Sequence, residues 1–193
     1  MSKLKIFLII FLIIVASITT SFFMTEKTKD NKFTINKNLN KLSLVTHNQE
    51  LLSYEKVLSN PSIFFFGFIN CPDICPNTLI EISNIIKNLG NESSKISFYF
   101  VTVDPERDQL LELQEYLSNF DEAIIGVTGK LENVSKFLKS MHVYYKKIYI
   151  DETFYTLDHT SNLLVFKKNG DFFGTISFNE AEEVILQKIR SVI

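Results

Sequence analysis

The sequence predicts an α/β domain built on a mixed β-sheet flanked by helices, and three observations lead to this prediction. The segments Ile63–Phe68 and Lys95–Val103 are almost continuously apolar and rich in β-branched and aromatic residues, as in strands buried on both faces. Apolar residues recur at helical spacing after each of these segments. Near the end of the chain, Asn169–Gly170 lies between two apolar runs, which is typical of a hairpin turn. Alternating strands and helices that end in an antiparallel pair indicate a mixed sheet.

The N-terminal part predicts a membrane anchor. The run Ile6–Met24 carries no charge and approaches the roughly 20 residues that a spanning helix needs. A cleaved signal peptide is the alternative, although Ala16–Ser21 offers only a weak cleavage site. We expect four parts: a basic flank at 1–5, a transmembrane anchor at 6–24, a flexible linker at 25–41 and a globular domain at 42–193. The chain of 193 residues is long enough for one core of ordinary size and this appendage.

Charge bears on partners and on orientation. The net charge of −2, with lysines and glutamates interspersed, provides no basic surface for nucleic acid, so we expect no nucleic-acid partner. More lysines follow the uncharged run than precede it. Taken alone, the positive-inside rule would therefore place the globular domain in the cytoplasm.

Within the globular domain, the predicted elements follow one another in order. Leu42–Leu52 is expected to form a short hairpin or paired strands, and Tyr54–Leu58 a further short segment. After the strand Ile63–Phe68, a helix should begin close to Pro76, because proline is tolerated in the first helical turn. After the strand Lys95–Val103, Asp104 can cap the next helix with Pro105 at its first position. The remaining prediction is a strand Ala123–Val127, a helix Leu131–Lys139, a strand Val143–Ile150, a loop with Asp151, Glu152 and Asp158, a hairpin Leu163–Phe166 and Phe172–Ile176, and a helix Asn179–Val192.

Cys71 and Cys75 are the only cysteines, and they lie between the central strand and its helix. A helix N-terminus favours thiolate over thiol, so both sulfurs are candidates for activation. By spacing alone, the pair could be a structural disulfide, a redox dithiol, half of a metal site or two thiols buried by chance. His159 precedes a later apolar strand, where a loop could face the end of the central strand.

Two thiolates and one imidazole suit three-coordinate Cu(I), and they could hold Cu(II) with a further ligand. Structural zinc would normally require a fourth protein ligand. His47 and His142 lack such a context and are interpreted as surface or strand residues. In an extended chain Asp158 and His159 point to opposite faces, so Asp158 is not expected to orient the histidine.

Together these residues resemble the Sco/SenC family. The resemblance rests on Cys71-Pro-Asp-Ile-Cys-Pro76 after Phe66-Gly-Phe68, then on Val101-Thr-Val-Asp-Pro-Glu-Arg-Asp108, Val143-Tyr-Tyr145 and Asp158-His159, in that order. It implies a membrane-anchored, copper-binding protein of thioredoxin-like fold that assists assembly of the copper centre of cytochrome c oxidase. It also implies Cys71, Cys75 and His159 as copper ligands. Ile69-Asn70 is more apolar than the usual family version, and His47-Asn-Gln-Glu50 lacks the customary glycine of an early turn.

The resemblance implies a location and partners as well. The domain would face the periplasm from a bacterial inner membrane, or the intermembrane space from a mitochondrial one, which overrides the lysine count. The expected partners are the copper-bearing subunit of the oxidase and a copper donor or thiol–disulfide partner.

Two other functions compete with copper delivery. Cys71 and Cys75 could serve a thiol–disulfide oxidoreductase that acts on the oxidase or another client. A tethered binding domain with a structural disulfide is the third interpretation. A thiol peroxidase is disfavoured, because Phe68 stands where a peroxiredoxin-type site has threonine.

Overall fold

The computed structural model describes residues 3–27, 33–177 and 179–193. The chain divides into two compact units, Met1–Phe33 and Thr34–Ile193. The first contains helix α1, Lys3–Lys27, whose described apolar side chains between Ile6 and Ile18 are exposed. Within the part of the chain that the structure describes, no helix is both long and apolar enough to cross a membrane. The predicted anchor is therefore not confirmed, and residues 1–2 of the flank and 28–32 of the linker lie outside the described residues.

The second unit begins at Thr34 rather than at the predicted Leu42. Ile35 and Leu39, four residues apart, are both buried, and a 3-10 helix spans Lys37–Lys41. Residues 34–41 form an N-terminal arm that is bonded to the turn of the C-terminal hairpin. The Ile35 amide (3.0 Å) and the Thr34 hydroxyl (2.9 Å) both donate hydrogen bonds to the Gly170 carbonyl. Residues 34–41 are thus packed against the domain, and the predicted flexible linker is wrong for this stretch.

The secondary structure of the second unit alternates as predicted. The strands are β1 Val45–Thr46, β2 Ser62–Gly67, β3 Ser97–Thr102, β4 Ile124–Thr128, β5 Tyr145–Tyr149, β6 Tyr155–His159, β7 Leu163–Phe166 and β8 Phe172–Ile176. The helices are α2 Tyr54–Val57, α3 Ile74–Leu89, α4 Leu110–Leu117, α5 Leu131–Ser140 and α6 Glu182–Arg190, with a second 3-10 helix at Gly90–Lys95.

Six strands form one mixed sheet in the order β1-β4-β3-β2-β7-β8. β2, β3 and β4 are parallel, whereas β1 pairs with β4 and β7 with β2 in the antiparallel sense. The central strands are almost continuously apolar, as expected for a sheet covered by helices, and every residue of β2 is buried. The prediction that the two apolar runs form buried strands is confirmed, because their phenylalanines Phe64, Phe65, Phe66, Phe98 and Phe100 are all buried.

The topology brings three chain segments to one edge of the sheet. Parallel strands β2 and β3 end at the same edge, and the Val103 amide donates to the Gly67 carbonyl (2.8 Å) just beyond them. Antiparallel β7 starts at this edge, since Leu164 pairs with Phe64. The cysteine segment after β2, the Asp104 turn after β3 and the chain before β7 therefore meet there.

Three local predictions are corrected. The expected loop that leads to His159 contains strand β6, which pairs antiparallel with β5 from Tyr145↔His159 to Tyr149↔Tyr155. Its inward Leu157 is buried and its outward Asp158 exposed, a period-2 pattern that marks a half-buried strand. α4 begins at Leu110, so Asp104 is not its cap. α6 begins at Glu182 rather than Asn179, because the Asn179 backbone is left-handed (φ 65°).

Candidate metal centre

Cys71 and Cys75 flank the start of α3. The helix begins at Ile74, which places Cys75 and Pro76 in its first turn and leaves Cys71 in the preceding loop. The Cys75 amide donates to the Cys71 sulfur over 3.4 Å, as expected for a sulfur that faces the free N–H groups of a helix N-terminus. Both cysteines are free thiols, Cys75 buried and Cys71 half-buried.

The hairpin β5–β6 carries His159 to the cysteines. His159 Nε2 lies 3.7 Å from the Cys75 sulfur. On the other side of the ring, Nδ1 lies 2.9 Å from the Thr160 carbonyl, which can only accept, so Nδ1 carries the proton. The lone pair of Nε2 is therefore directed toward the sulfurs. The Phe68 ring meets the imidazole edge-to-face at a centroid distance of 5.6 Å.

The ligand atoms of Cys71, Cys75 and His159 all lie within 4.8 Å of one another. Cys71 and His159 line a cleft of about 370 Å³ together with Phe68 and Ile74, whereas Cys75 is buried. The structure thus brings together the three residues that were singled out from the sequence. Among the residues that the structure describes, this group has no fourth member: no further histidine, cysteine or carboxylate joins these three residues.

The two thiols have opposite acidities. A hydrogen bond from Cys75 is the main cause that lowers the pKa of Cys71 to about 4; burial opposes this shift, and the Cys75 and Asp73 amides add to it. The same shared hydrogen bond, followed by burial, raises the pKa of Cys75. At neutral pH the pair therefore holds one thiolate, on Cys71, and one proton, on Cys75.

Other predicted residues lie away from the centre. His47 accepts a hydrogen bond from the Gly126 amide through Nδ1 (2.8 Å), and burial lowers its pKa. His142 is exposed with a left-handed backbone (φ 57°). Asp158 is exposed, and the Thr160 carbonyl orients His159 instead, which agrees with the prediction for this carboxylate.

Sequence reasoning missed a polar cluster behind the centre. Asp104 is buried and forms an ion pair with Arg107, and it also accepts a hydrogen bond from the Tyr155 hydroxyl (2.9 Å). Asp108 is buried too and accepts from the Ile69 amide (3.1 Å), two residues before Cys71. The sequence analysis used Asp104-Pro-Glu-Arg-Asp108 only as a helix start and as part of the family motif, and a run of charged residues after a buried strand did not indicate that two of its carboxylates would be buried.

The fold and the donor group define a thioredoxin-like protein with a Cys-x-x-x-Cys pair and a histidine at the carboxyl edge of the sheet. Residues 32–193 match the SCO1/SenC family, and the chain belongs to it. The predicted resemblance is thereby confirmed.

Individual relatives agree with this membership. An SCO2-like protein of Rickettsia conorii is 30% identical over 150 residues, which cover 77% of this chain and 73% of the relative. The copper-bound structure of Bradyrhizobium japonicum ScoI is 30% identical and superimposes with a TM-score of 0.74 over 78% of this chain and 96% of ScoI. BsSco, a member of the Sco family of cytochrome c oxidase assembly proteins, is 22% identical and shares the fold, with a TM-score of 0.63 over 77% of this chain and 89% of BsSco.

Proposed function

We propose that this chain is a copper metallochaperone that delivers copper to the copper centre of cytochrome c oxidase during its assembly. The observation that carries the proposal is the convergence of the ligand atoms of Cys71, Cys75 and His159 within 4.8 Å of one another, with Cys71 and His159 lining an open cleft. Membership of a family of oxidase assembly proteins and the copper bound by the ScoI relative support it.

The donor set favours copper over other metals. Two sulfurs and one imidazole nitrogen match the soft, low-coordinate preference of Cu(I). Zinc would normally require a fourth protein ligand, and the described group stops at three. The bond between Nδ1 and the Thr160 carbonyl orients the histidine as partner groups orient ligands at other metal sites.

Copper is the cargo, and exposure suggests the order of its transfer. Half-buried Cys71 and His159 are accessible to incoming client ligands, whereas Cys75 is buried. A client thiolate or imidazole would therefore displace the two accessible ligands first, and the Cys75 bond would break last. A disulfide between the cysteines removes both sulfur ligands, so the redox state gates loading.

The test is copper stoichiometry of the full-length chain, reduced and loaded anaerobically. We expect one copper per chain and its loss in Cys71→Ser. His159→Ala should weaken retention by roughly 10- to 100-fold or more while apo-protein stability changes little. A chain that binds no copper while both thiols remain titratable would refute the chaperone proposal, and unchanged affinity in His159→Ala would refute the three-ligand site.

A second candidate function is a thiol–disulfide oxidoreductase, favoured by the low pKa of Cys71 beside a protonated Cys75. The Cys71 thiolate would attack a client disulfide and release one client thiolate. Cys75 would then lose its proton, attack the Cys71 sulfur of the mixed disulfide and release the second client thiol. Two electrons pass to the client, and this chain keeps the new disulfide. Turnover of a disulfide substrate that persists in His159→Ala but not in Cys71→Ser would support this function.

We also propose an extracytoplasmic location with an N-terminal anchor. This rests on the family resemblance and on the uncharged run Ile6–Met24. Fractionation of cells that produce the full chain, followed by protease treatment from the outer side, tests it. Recovery of the chain in the soluble cytoplasmic fraction would contradict it.

A further inference from the structure

The hairpin that carries His159 is not part of the six-stranded sheet. β5 and β6 pair only with each other, so no backbone ladder joins them to the strands that precede the cysteines. The position of the imidazole relative to the two sulfurs therefore depends on the short chain 160–162 that leads into β7 and on the side-chain contacts of the hairpin. At one end of the hairpin, the Tyr145 hydroxyl and Ser135 of α5 share a hydrogen bond of 2.8 Å.

At the other end, Arg107 joins the hairpin to the turn after β3. Its Nη1 donates to the Tyr155 carbonyl over 2.9 Å, and the guanidinium carbon lies 3.8 Å from the centroid of the Tyr155 ring. Its Nε pairs with the buried Asp104 carboxylate, whose other oxygen accepts from the Tyr155 hydroxyl (2.9 Å). Arg107 thus contacts both the backbone and the side chain of Tyr155, and its own position is fixed by the buried Asp104 carboxylate.

The contacts of Arg107 with Tyr155 also affect the position of His159, because both residues lie in β6. Tyr155 and His159 are four residues apart in a strand, so their side chains project from the same face, with buried Leu157 between them. Phe68 provides a second link, since its ring contacts His159 edge-to-face and lies 5.9 Å from the Arg107 guanidinium carbon. A shift of Tyr155 would therefore move His159 away from the sulfurs.

We propose that Arg107 is a positioning residue that holds the His159 imidazole at ligand distance from Cys71 and Cys75. The inference rests on the proposed copper function, and it assigns the Asp104–Arg107–Tyr155 cluster to the geometry of the metal centre. Lysine cannot replace arginine here, because an ammonium can keep the ion pair with Asp104 but cannot also stack on the ring and reach the carbonyl in the fixed geometry of a guanidinium.

The decisive variant is therefore Arg107→Lys, which keeps the charge opposite buried Asp104. Its matched control is Arg190→Lys, because Arg190 also pairs with a carboxylate, Glu92 (3.0 Å), but on α6 and half-exposed. We expect Arg107→Lys to weaken copper affinity by roughly 10-fold or more, and to change the Cu(II) spectrum toward that of His159→Ala. The control should match the wild type in both measurements.

A double-mutant cycle separates positioning from a general structural effect. If Arg107 acts through the imidazole, then adding Arg107→Lys to His159→Ala should cause no further loss of affinity. Equal losses in the wild-type and His159→Ala backgrounds would overturn the proposal. Failure of the wild type to bind copper would instead refute the proposed function, so the two failures are distinguishable.

A readout on the apo-protein does not depend on copper. Amide hydrogen exchange of Tyr155–Thr160 should be faster in Arg107→Lys than in the wild type, while exchange of β2 and β3 stays unchanged. Tyr155→Phe, which loses only the hydroxyl bond to Asp104, should have a smaller effect of the same kind. Unchanged exchange of β6 together with unchanged copper affinity in Arg107→Lys would overturn the proposal.

Discussion

At the scale of single residues, the two cysteines show how environment separates identical side chains. The Cys71 sulfur accepts hydrogen bonds from the Cys75 amide and from the Cys75 thiol, and both bonds stabilise a negative charge on Cys71. Cys75 is fully buried in the first turn of α3, and a second charge beside the Cys71 thiolate would repel it. The accessible sulfur is therefore the anionic one, which suits it to meet a metal or a client first.

This difference predicts the reactivity of the apo-protein toward iodoacetamide. Because the pKa of Cys71 is about 4, its alkylation rate should stay nearly constant between about pH 6 and 8, while an ordinary thiol accelerates about tenfold per pH unit below its pKa. In Cys75→Ala the donating thiol is lost, so the pKa of Cys71 should rise and the rate should become pH-dependent. A tenfold rise per pH unit in the wild type would contradict the assignment.

Asp108 is a buried carboxyl group beneath the cysteine loop. Burial raises its pKa to about 6, although hydrogen bonds from the Thr102 hydroxyl (2.6 Å) and the Ile69 amide oppose the shift. Its other oxygen, Oδ1, has no hydrogen-bond partner among the described residues. The carboxyl group therefore keeps its proton in the folded state at a pH at which the unfolded chain has already lost it.

Linkage fixes the sign of the resulting pH dependence. Between the ordinary pKa of 3.8 and about 6, the folded state binds more protons than the unfolded state, so the free energy of unfolding falls as pH rises. We expect Asp108→Asn to remove a decline on the order of 1–3 kcal/mol across this window, measured by urea unfolding at several pH values. An identical pH profile in the variant would show that Asp108 does not hold this proton.

At the scale of elements, the end of β2 is closely packed against the start of α3. A Cβ atom on Gly67 would lie 2.9 Å from the Cys75 sulfur and 2.8 Å from the Phe100 ring, both closer than side chains normally allow. Glycine at this strand end therefore permits the helix to bring Cys75 to the sheet edge. By contrast, a Cβ on Gly174 of β8 would meet nothing within 4 Å.

These two glycines form a matched pair of substitutions. Gly67→Ala should lower the free energy of unfolding by about 1–3 kcal/mol through overpacking, and it should weaken copper binding because Cys75 is displaced. Gly174→Ala should leave stability within about 0.5 kcal/mol of the wild type and copper binding unchanged. Equal effects of the two substitutions, measured by urea unfolding and copper titration, would show that the close approach at Gly67 does not matter.

At the scale of the folded unit, the arm 34–41 contributes to the same core as the strands that follow it. Leu39 is buried although its neighbours Asn38 and Asn40 are exposed. The Asn36 side chain accepts from the Asn38 amide (2.9 Å) and so starts the 3-10 helix. The arm thus covers part of the core and does not act as a spacer.

Leu39→Ala should lower the free energy of unfolding of the full chain by about 2–4 kcal/mol, because it leaves a cavity under the arm. Lys37→Ala, at an exposed position of the same 3-10 helix, should change it by no more than about 0.5 kcal/mol. Urea unfolding curves of the two variants measure both effects. If the arm were a free tether, neither variant would differ from the wild type.

The sequence predicted those features that depend on neighbouring residues. Apolar runs marked β2 and β3, and Asn169–Gly170 marked the turn in which Gly170 takes a left-handed backbone (φ 84°). Two features were missed because their patterns are short. The arm has only two buried anchors in a polar stretch, and β6 alternates over five residues beside a charged turn.

By itself, the sequence determined that the chain alternates strands and helices and which residues carry reactive groups, because composition and periodicity are local properties. The order of its motifs, from Cys71-Pro-Asp-Ile-Cys-Pro76 to Asp158-His159, indicated the family by resemblance. Only the tertiary structure decided that Cys75 and His159, 84 residues apart, lie 3.7 Å from each other. It also decided which thiol holds the proton and that Arg107 donates a hydrogen bond to the Tyr155 carbonyl. The physical reason is that distance, burial and shared hydrogen bonds depend on strand order, since parallel β2 and β3 and antiparallel β7 bring distant segments to one edge.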